Sequence, residues 1–407
     1  MVENIIKIRE SLKLLDKDLW VLVNNNNSDY IFSKYISRKI YTLSMCFITP
    51  KKTYILVHDL DKENIKVEEI FSRFDIEVIV YNSKIDLKDK IEDIIAKLGF
   101  ISTINLSYST IGDKDTDILG HGEYVEIVDI LKTPYIKYRK KLKIESAEDI
   151  IYNILCTKTP KQIERITKVA NITHEILETV FKTIKVGMSE IDVSNHVIKL
   201  TKKITKKYLG SEIIAVSLAW ENCPFVLFGE NLEKGGHTLP SNKILQKSMT
   251  IYIDFGICLR YNDEEDIYSD IQRMGYTLNF KETKAPIKVQ NVFDVLKNSI
   301  DLGMEIMKPG ETAFKIDEVV RNEIIHHGYV NYNHATGHPV GLKVHDIGAI
   351  ISSKNNKKAT LKLVENSIYT LEPRIAIING GSIEEMILVT QFGGKFLGKS
   401  QESLYLI

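Results

Sequence analysis

The sequence predicts a two-domain α/β protein, residues 1–155 and 156–407, and three observations carry that prediction. At 407 residues the chain exceeds what one ordinary hydrophobic core organises. Its first third alternates helical and strand-like patterning, as a small sheet flanked by helices would. A strong helix start at Thr159 then opens a region that carries a weak internal echo.

In the N-terminal domain, Ile5, Ile8, Leu12 and Leu15 recur at helical spacing. Four β-rich runs follow at 19–23, 45–49, 53–57 and 76–81, separated by clusters of Lys, Asp and Asn. No phosphate-cradling glycine loop and no cluster of histidines or acids occurs there, so this half reads as a scaffold or a lid. A charged stretch from Tyr138 to Lys143 leads to the boundary. At Thr159-Pro160-Lys161-Gln162 a capping threonine, a proline at the first helical position and a capping-box glutamine coincide. Behind them Ile163, Ile166, Ala170, Leu177 and Val180 mark the apolar stripe of a helix. The segment Ile184–Glu190 is echoed by Ile306–Thr312, each between two helical patterns, with Gly187 and Gly310 placed to end helices. Two related halves facing each other across a cleft follow from that echo.

Composition excludes several functions. Lys plus Arg and Asp plus Glu balance at 54 each, so no basic excess exists to hold a nucleic acid. Cys46, Cys156, Cys223 and Cys258 form no CxxC pair and read as core residues. The N-terminus lacks a signal-peptide pattern, and the most apolar run, Ile213–Trp220, is far short of the roughly 20 residues that cross a bilayer. A soluble cytoplasmic protein, bound to neither membrane nor nucleic acid, is the expectation.

The chemistry lies in the second domain. In Ser248–Gly256, strand alternation puts Met249, Ile251, Ile253 and Phe255 on one face and Thr250, Tyr252 and Asp254 on the other. A carboxylate so buried needs a cation or strong hydrogen bonds. A second strand over Ile267–Arg273 would bring Asp270 to Asp254 if the two pair as a hairpin, and two close acids repel unless a metal neutralises them. Three of the chain's ten histidines, His334, His338 and His345, then crowd one glycine-broken segment. His326 and His327 read as helix-end decoration. Further acids sit in strand-like segments at Ile368–Pro373 and Ser382–Val389. Two Asp, two Glu and one His supply four negative charges, matching two divalent cations. An oxygen-rich set with one imidazole suits Mn²⁺, Co²⁺, Fe²⁺ or Zn²⁺ in a catalytic site, and paired metals that share a water perform hydrolysis.

The order Asp, Asp, His, Glu, Glu resembles that of the pita-bread metallopeptidases: aminopeptidase P, prolidase, methionine aminopeptidase and the related creatinase. The resemblance spans the chain and implies a creatinase-like N-terminal domain (1–155) before a pita-bread catalytic domain (156–407) with an internal pseudo-twofold. Matched to the family motifs, Asp254 is the D-x-G acid, Asp270 the S-D-x-x-R acid, and His338 the ligand of G-H-x-x-G-L-x-V-H-D. Glu372 is the E-P acid and Glu384 the first acid of I-E-(D/E). The resemblance implies that Asp254 holds one metal and His338 with Glu372 the other, while Asp270 and Glu384 bridge. It makes metal-bound hydroxide the nucleophile, with Glu372 handling its proton. His345 and His334 match substrate-contacting histidines, and His237, in H-T-L-P-S-N, matches a third. Mn²⁺ is the first expectation for the metal.

Four features depart from the family pattern. The interval from Asp254 to Asp270 is longer, through Tyr261–Asp266; Gln272 replaces a threonine; Arg374 follows E-P in place of glycine; and Ser382 stands where prolidases commonly have an arginine. Arg374 is expected to compensate in part and to bind substrate. The implied activity is removal of an N-terminal residue from short peptides before proline, by a homodimer or larger homo-oligomer. The alternative is a creatinase-like hydrolase or lyase acting on a small non-peptide metabolite.

Overall fold

The computed structural model of the chain describes residues 1–37, 39–65, 70–235 and 238–407. The chain divides into two compact units, Met1–Leu155 and Cys156–Ile407. The first contains α1 (Val2–Leu14), β1 (Trp20–Asn24), α2 (Tyr30–Tyr35), β2 (Ser44–Ile48), β3 (Thr53–His58), α3 (Ile70–Arg73), β4 (Ile76–Tyr81), α4 (Lys84–Lys97), β5 (Thr103–Leu106), α5 (His121–Lys137) and β6 (Lys143–Ser146); α6 (Glu148–Cys156) follows at the division. The six strands form one mixed sheet in the order β4-β3-β2-β1-β5-β6. Ile5, Ile8 and Leu12 are buried, so the helical spacing of α1 does mark its inner face. β5 and β6 have four residues each, too few for alternation to announce them, and both pair in parallel. Among the described residues, no helix is long and apolar enough to cross a membrane.

The second unit opens with α7 (Pro160–Thr183), and its N-terminus is closed by a reciprocal cap. Thr159 Oγ accepts the Gln162 N–H at 3.2 Å, and Gln162 Oε1 accepts the Thr159 N–H at 2.9 Å. Ile166, Ala170, Leu177 and Val180 are buried beneath it. After α7 come α8 (Glu190–Thr205), β7 (Ile213–Leu218), β8 (Phe225–Phe228), β9 (Thr250–Phe255), β10 (Ile257–Tyr261), β11 (Asp266–Tyr268) and β12 (Ile271–Tyr276). A second helix pair, α9 (Ile287–Glu305) and α10 (Ala313–His326), precedes β13 (Ile368–Leu371), β14 (Arg374–Ile375), β15 (Gly381–Ser382), β16 (Glu385–Thr390), β17 (Gly393–Phe396) and β18 (Tyr405–Leu406). Among the described residues one large apolar core lies mainly under α7 and α8 and another mainly under α9 and α10.

The internal echo is a repeated latch. Gly187 and Gly310 do not end helices as the sequence suggested, because α7 stops at Thr183 and α9 at Glu305. Both glycines sit in the following turns at φ +100° and +88°, backbone that favours glycine. The Gly187 N–H donates to Leu245 O, and the Leu245 N–H returns a bond to Met188 O; Gly310, Leu363 and Glu311 repeat the pattern. Each latch therefore anchors the segment that leads to a candidate acid, Asp254 on β9 in one half and Glu372 just after β13 in the other.

The expected simple hairpin between Asp254 and Asp270 is corrected. β9 does pair antiparallel with β12, Gln272 lying opposite Asp254. Between them, however, β10 and β11 leave that sheet and join β7 in another. The single strand expected over Ile267–Arg273 breaks at Ser269–Asp270, and that expected over Ser382–Val389 breaks at Ile383–Glu384. Gly256 permits the first break, since a Cβ there would lie 2.1 Å from the Ser269 carbonyl oxygen. The extra residues of the interval form the β10–β11 turn. Asp263 accepts Arg165 Nη1 at 3.0 Å and Lys161 Nζ at 3.0 Å, and Glu265 accepts Arg165 Nη1 at 2.7 Å, so this turn is fastened to the first turns of α7.

Candidate metal centre

Each candidate ligand sits where regular backbone stops or is pinned. Asp254 is on β9, whose alternation turns Tyr252 and Asp254 to the same side. Asp270 and Glu384 occupy the two strand breaks, and Glu372 follows β13 directly. His338 is held by its own N–H to Thr370 Oγ1 at 3.1 Å, while the Thr370 N–H donates to its carbonyl at 2.8 Å. That approach needs Gly337, where a Cβ would meet Thr370 O at 2.0 Å.

These residues converge. Ligand atoms of Asp270, His338 and Glu384 lie within 4.8 Å of one another. His338 Nε2 is 3.6 Å from Asp270 Oδ2 and 3.8 Å from Glu372 Oε1. Gln272 joins Asp254 to Glu372, its Nε2 donating to Asp254 Oδ2 at 3.4 Å and to Glu372 Oε2 at 3.2 Å. A cavity of about 870 Å³ opens over the cluster, lined by Asp254, His334, His338, His345, Glu372 and Arg374 among others. The His345 ring stands 4.3 Å from that of His338, and His334 lies 4.7 Å from Tyr332. His237 falls outside the described residues, although Gly235 and Thr238 on either side line the cavity.

The electrostatics call for cations. Burial, then Asp270 and Glu372, hold the Asp254 carboxyl well above the usual range. Burial lifts Glu372 to about 7 against the pull of His338, and burial with three neighbouring acids lifts Glu384. Burial opposes protonation of His338, yet Asp270 and Glu372 raise it to about 9. Asp254 Oδ1 and both carboxylate oxygens of Glu384 are buried without a hydrogen-bond partner. Oxygens in that state belong to a site completed by positive charge, and an oxygen-rich set with one imidazole fits divalent cations.

Three supporting groups had no role in the sequence reading. The Tyr252 hydroxyl donates to Asp254 Oδ2 at 3.0 Å, which the shared strand face already hinted. Arg273, wholly buried, donates to the carbonyls of Gln272 and Glu384 at 2.9 Å each and to Glu385 Oε2 at 3.0 Å. It sets the backbone on which Glu384 stands. Arg321 donates to Asp317 at 2.8 Å and to the carbonyls of Tyr332 and His334 at 2.6 Å, fixing the cavity wall to α10. Arg374 is buried, donates to Leu232 O, and pairs directly across β14–β15 with Ser382.

The chain is similar to several known proteins. The sequence pattern of metallopeptidase family M24 matches residues 164–391. The chain is 25% identical over 404 residues to an Xaa-Pro dipeptidase of Pyrococcus horikoshii, covering 98% of each chain. Among solved structures, an X-Pro aminopeptidase from Thermotoga maritima covers 98% of this chain and 100% of its own, with a TM-score of 0.58 and 21% identity. The dipeptidase PepE from Mycobacterium ulcerans covers 100% and 97%, with a TM-score of 0.62 and 18% identity. At those identities the structural likeness speaks for the fold.

Proposed function

Because the chain belongs to metallopeptidase family M24, we propose that it is a dinuclear-metal peptidase that removes the N-terminal residue of short peptides in front of proline. The observation that carries this reading is the set of buried, partnerless acid oxygens beside His338 at the floor of a peptide-sized cavity. Asp254, Asp270, His338, Glu372 and Glu384 would hold two divalent cations, Mn²⁺ first among Mn²⁺, Co²⁺, Zn²⁺ and Fe²⁺. When bound, such cations lower the pKa of a water and polarise the carbonyl of the scissile amide. Glu372, on the cavity wall, takes and returns the proton in this scheme. His334, His345, Arg374 and, by the resemblance, His237 receive the peptide, the two histidines orienting the carbonyl. Residues 1–155 act as the creatinase-like domain that the resemblance implies, within a homodimer or larger homo-oligomer. A cytoplasmic setting completes the proposal, since Cys46, Cys156, Cys223 and Cys258 are all buried and form no CxxC pair.

The test is metal-stripped protein supplied with Mn²⁺, Co²⁺ or Zn²⁺ and a panel of Xaa-Pro dipeptides, Xaa-Pro-Yaa tripeptides and matched peptides without proline. Metal-dependent loss of the first residue, abolished in Asp270→Ala, is the expected result. Two bound metals per chain with no peptide cleaved would transfer the assignment to a small non-peptide metabolite. For Arg374, Arg374→Ala should raise KM; unchanged kinetics and metal affinity would remove it from the substrate site.

A further inference from the structure

We infer that Gln272 is a positioning residue that ties the two sides of the metal centre together, and that Ser382 fixes which end of its amide faces the ligands. The inference rests on the dinuclear reading above. Gln272 is buried and lies directly opposite Asp254 in the β9–β12 ladder. Its amide nitrogen carries two protons, and both have a carboxylate to meet, Asp254 Oδ2 at 3.4 Å and Glu372 Oε2 at 3.2 Å. Those two acids are assigned to different cations, so one amide spans the pair.

The amide has a preferred sense. Turned over, its oxygen would face two carboxylate oxygens, acceptor against acceptor, in a buried site. Ser382 opposes that reversal: its hydroxyl lies 2.6 Å from Gln272 Oε1 and 2.8 Å from the Pro373 carbonyl, with one proton to give. Donation to Oε1 leaves the nitrogen end for the acids. The result is a division of labour within each carboxylate. Asp254 Oδ2 is taken by Gln272 and Tyr252, while Oδ1 has no partner. Glu372 Oε2 is taken by Gln272, while Oε1 faces His338. One oxygen of each acid is anchored to protein, and the other would be the one left to hold a cation. Positions 272, 382 and 374, three of the departures noted in the sequence, thus form one contact group, since Arg374 pairs across from Ser382.

The experiment is calorimetric titration of Mn²⁺ into the metal-stripped full-length protein, for wild type, Gln272→Met, Ser382→Ala and the double variant. Thermal unfolding without metal is recorded alongside. Hydrogen-bond partners of metal ligands change affinity by about 10–100-fold, and Gln272→Met should lose that much. Ser382→Ala should lose less, and should add nothing in the Gln272→Met background. Wild type that takes up no metal would remove the dinuclear reading itself. Wild type with two ions and unchanged affinity in Gln272→Met, or losses that multiply independently in the double variant, would overturn the inference. So would a variant that melts earlier without metal yet binds it as tightly. If Gln272→Met does not fold, the smaller Ser382→Ala change decides alone: weaker binding supports the inference and unchanged binding overturns it.

Discussion

Replacing Glu384 by glutamine should stabilise the metal-free protein and destabilise the metal-loaded one. Both oxygens of Glu384 are buried without partners, and Asp270, Glu372 and Asp254 all raise its carboxyl. The isosteric amide keeps the shape, removes one charge from a cluster of like charges, and offers N–H donors to its acidic neighbours. Relieving an unsatisfied buried acceptor is worth about 1–3 kcal/mol. For a domain of this size each kcal/mol moves Tm by about 2–4 °C, so the gain without metal should be about 2–12 °C. With metal the sign reverses. Two sites, each filled at 100 times its Kd, contribute about 5 kcal/mol together, more than the about 1–3 kcal/mol gained, and a variant that binds neither ion forfeits it. The assay is thermal unfolding at pH 8, with a chelator and then with excess Mn²⁺. A lower Tm for Glu384→Gln in chelator, or a metal-induced rise equal to that of wild type, would refute the electrostatic account.

Three further predictions concern the frame around the site. Arg273→Met should destabilise by about 3–5 kcal/mol by leaving Glu385 buried and unpaired, and should also weaken Mn²⁺ binding through the Glu384 backbone; wild-type melting in denaturant titration would contradict this. Gly256→Ala should force β10 away from Ser269 and cost more metal affinity than Gly120→Ala, where nothing lies within 4 Å of the added Cβ; equal affinities would argue against the strand-break account. Asp29 caps α2 through Oδ1 at 2.7 and 3.0 Å, while its buried Oδ2 is unpartnered and burial raises its carboxyl to about 7. Because the folded pKa lies above the unfolded one, its contribution is fully present below about pH 4 and is lost as pH rises through 7. Asp29→Asn should therefore flatten the stability–pH curve between pH 4 and 7, and an unchanged slope would count against it.

What the sequence disclosed was local. The cap at Thr159, the stripe beneath α7 and the shared face of Tyr252 and Asp254 each depend on neighbours a few residues away, and each is found as read. The candidate acids and histidines were picked out by their order, and the structure brings Asp254, Asp270, His338, Glu372 and Glu384 together. The strand breaks escaped because strand-favouring residues continue on both sides of Ser269–Asp270 and Ile383–Glu384, and at the first of them Gly256 lets another strand close on the Ser269 carbonyl. Gln272 could be marked as unusual but not interpreted, since two of its partners, Glu372 and Ser382, lie 100 and 110 residues away. The long interval after Asp254 was likewise visible, while its docking on α7 depends on Arg165, on a different element.

The two places where this region departs from a plain hairpin differ in what they would tolerate. At Asp263–Glu264 the β10–β11 turn is exposed, and Glu264 takes a positive φ. An added peptide tag there would point to solvent, at the cost of the ion pairs to Arg165 and Lys161. One residue added between Asp270 and Ile271 would exchange the inner and outer faces of β12, sending Gln272 and Arg273 to opposite sides at once. For anyone redesigning this protein, the turn is the handle and the break is the ratchet.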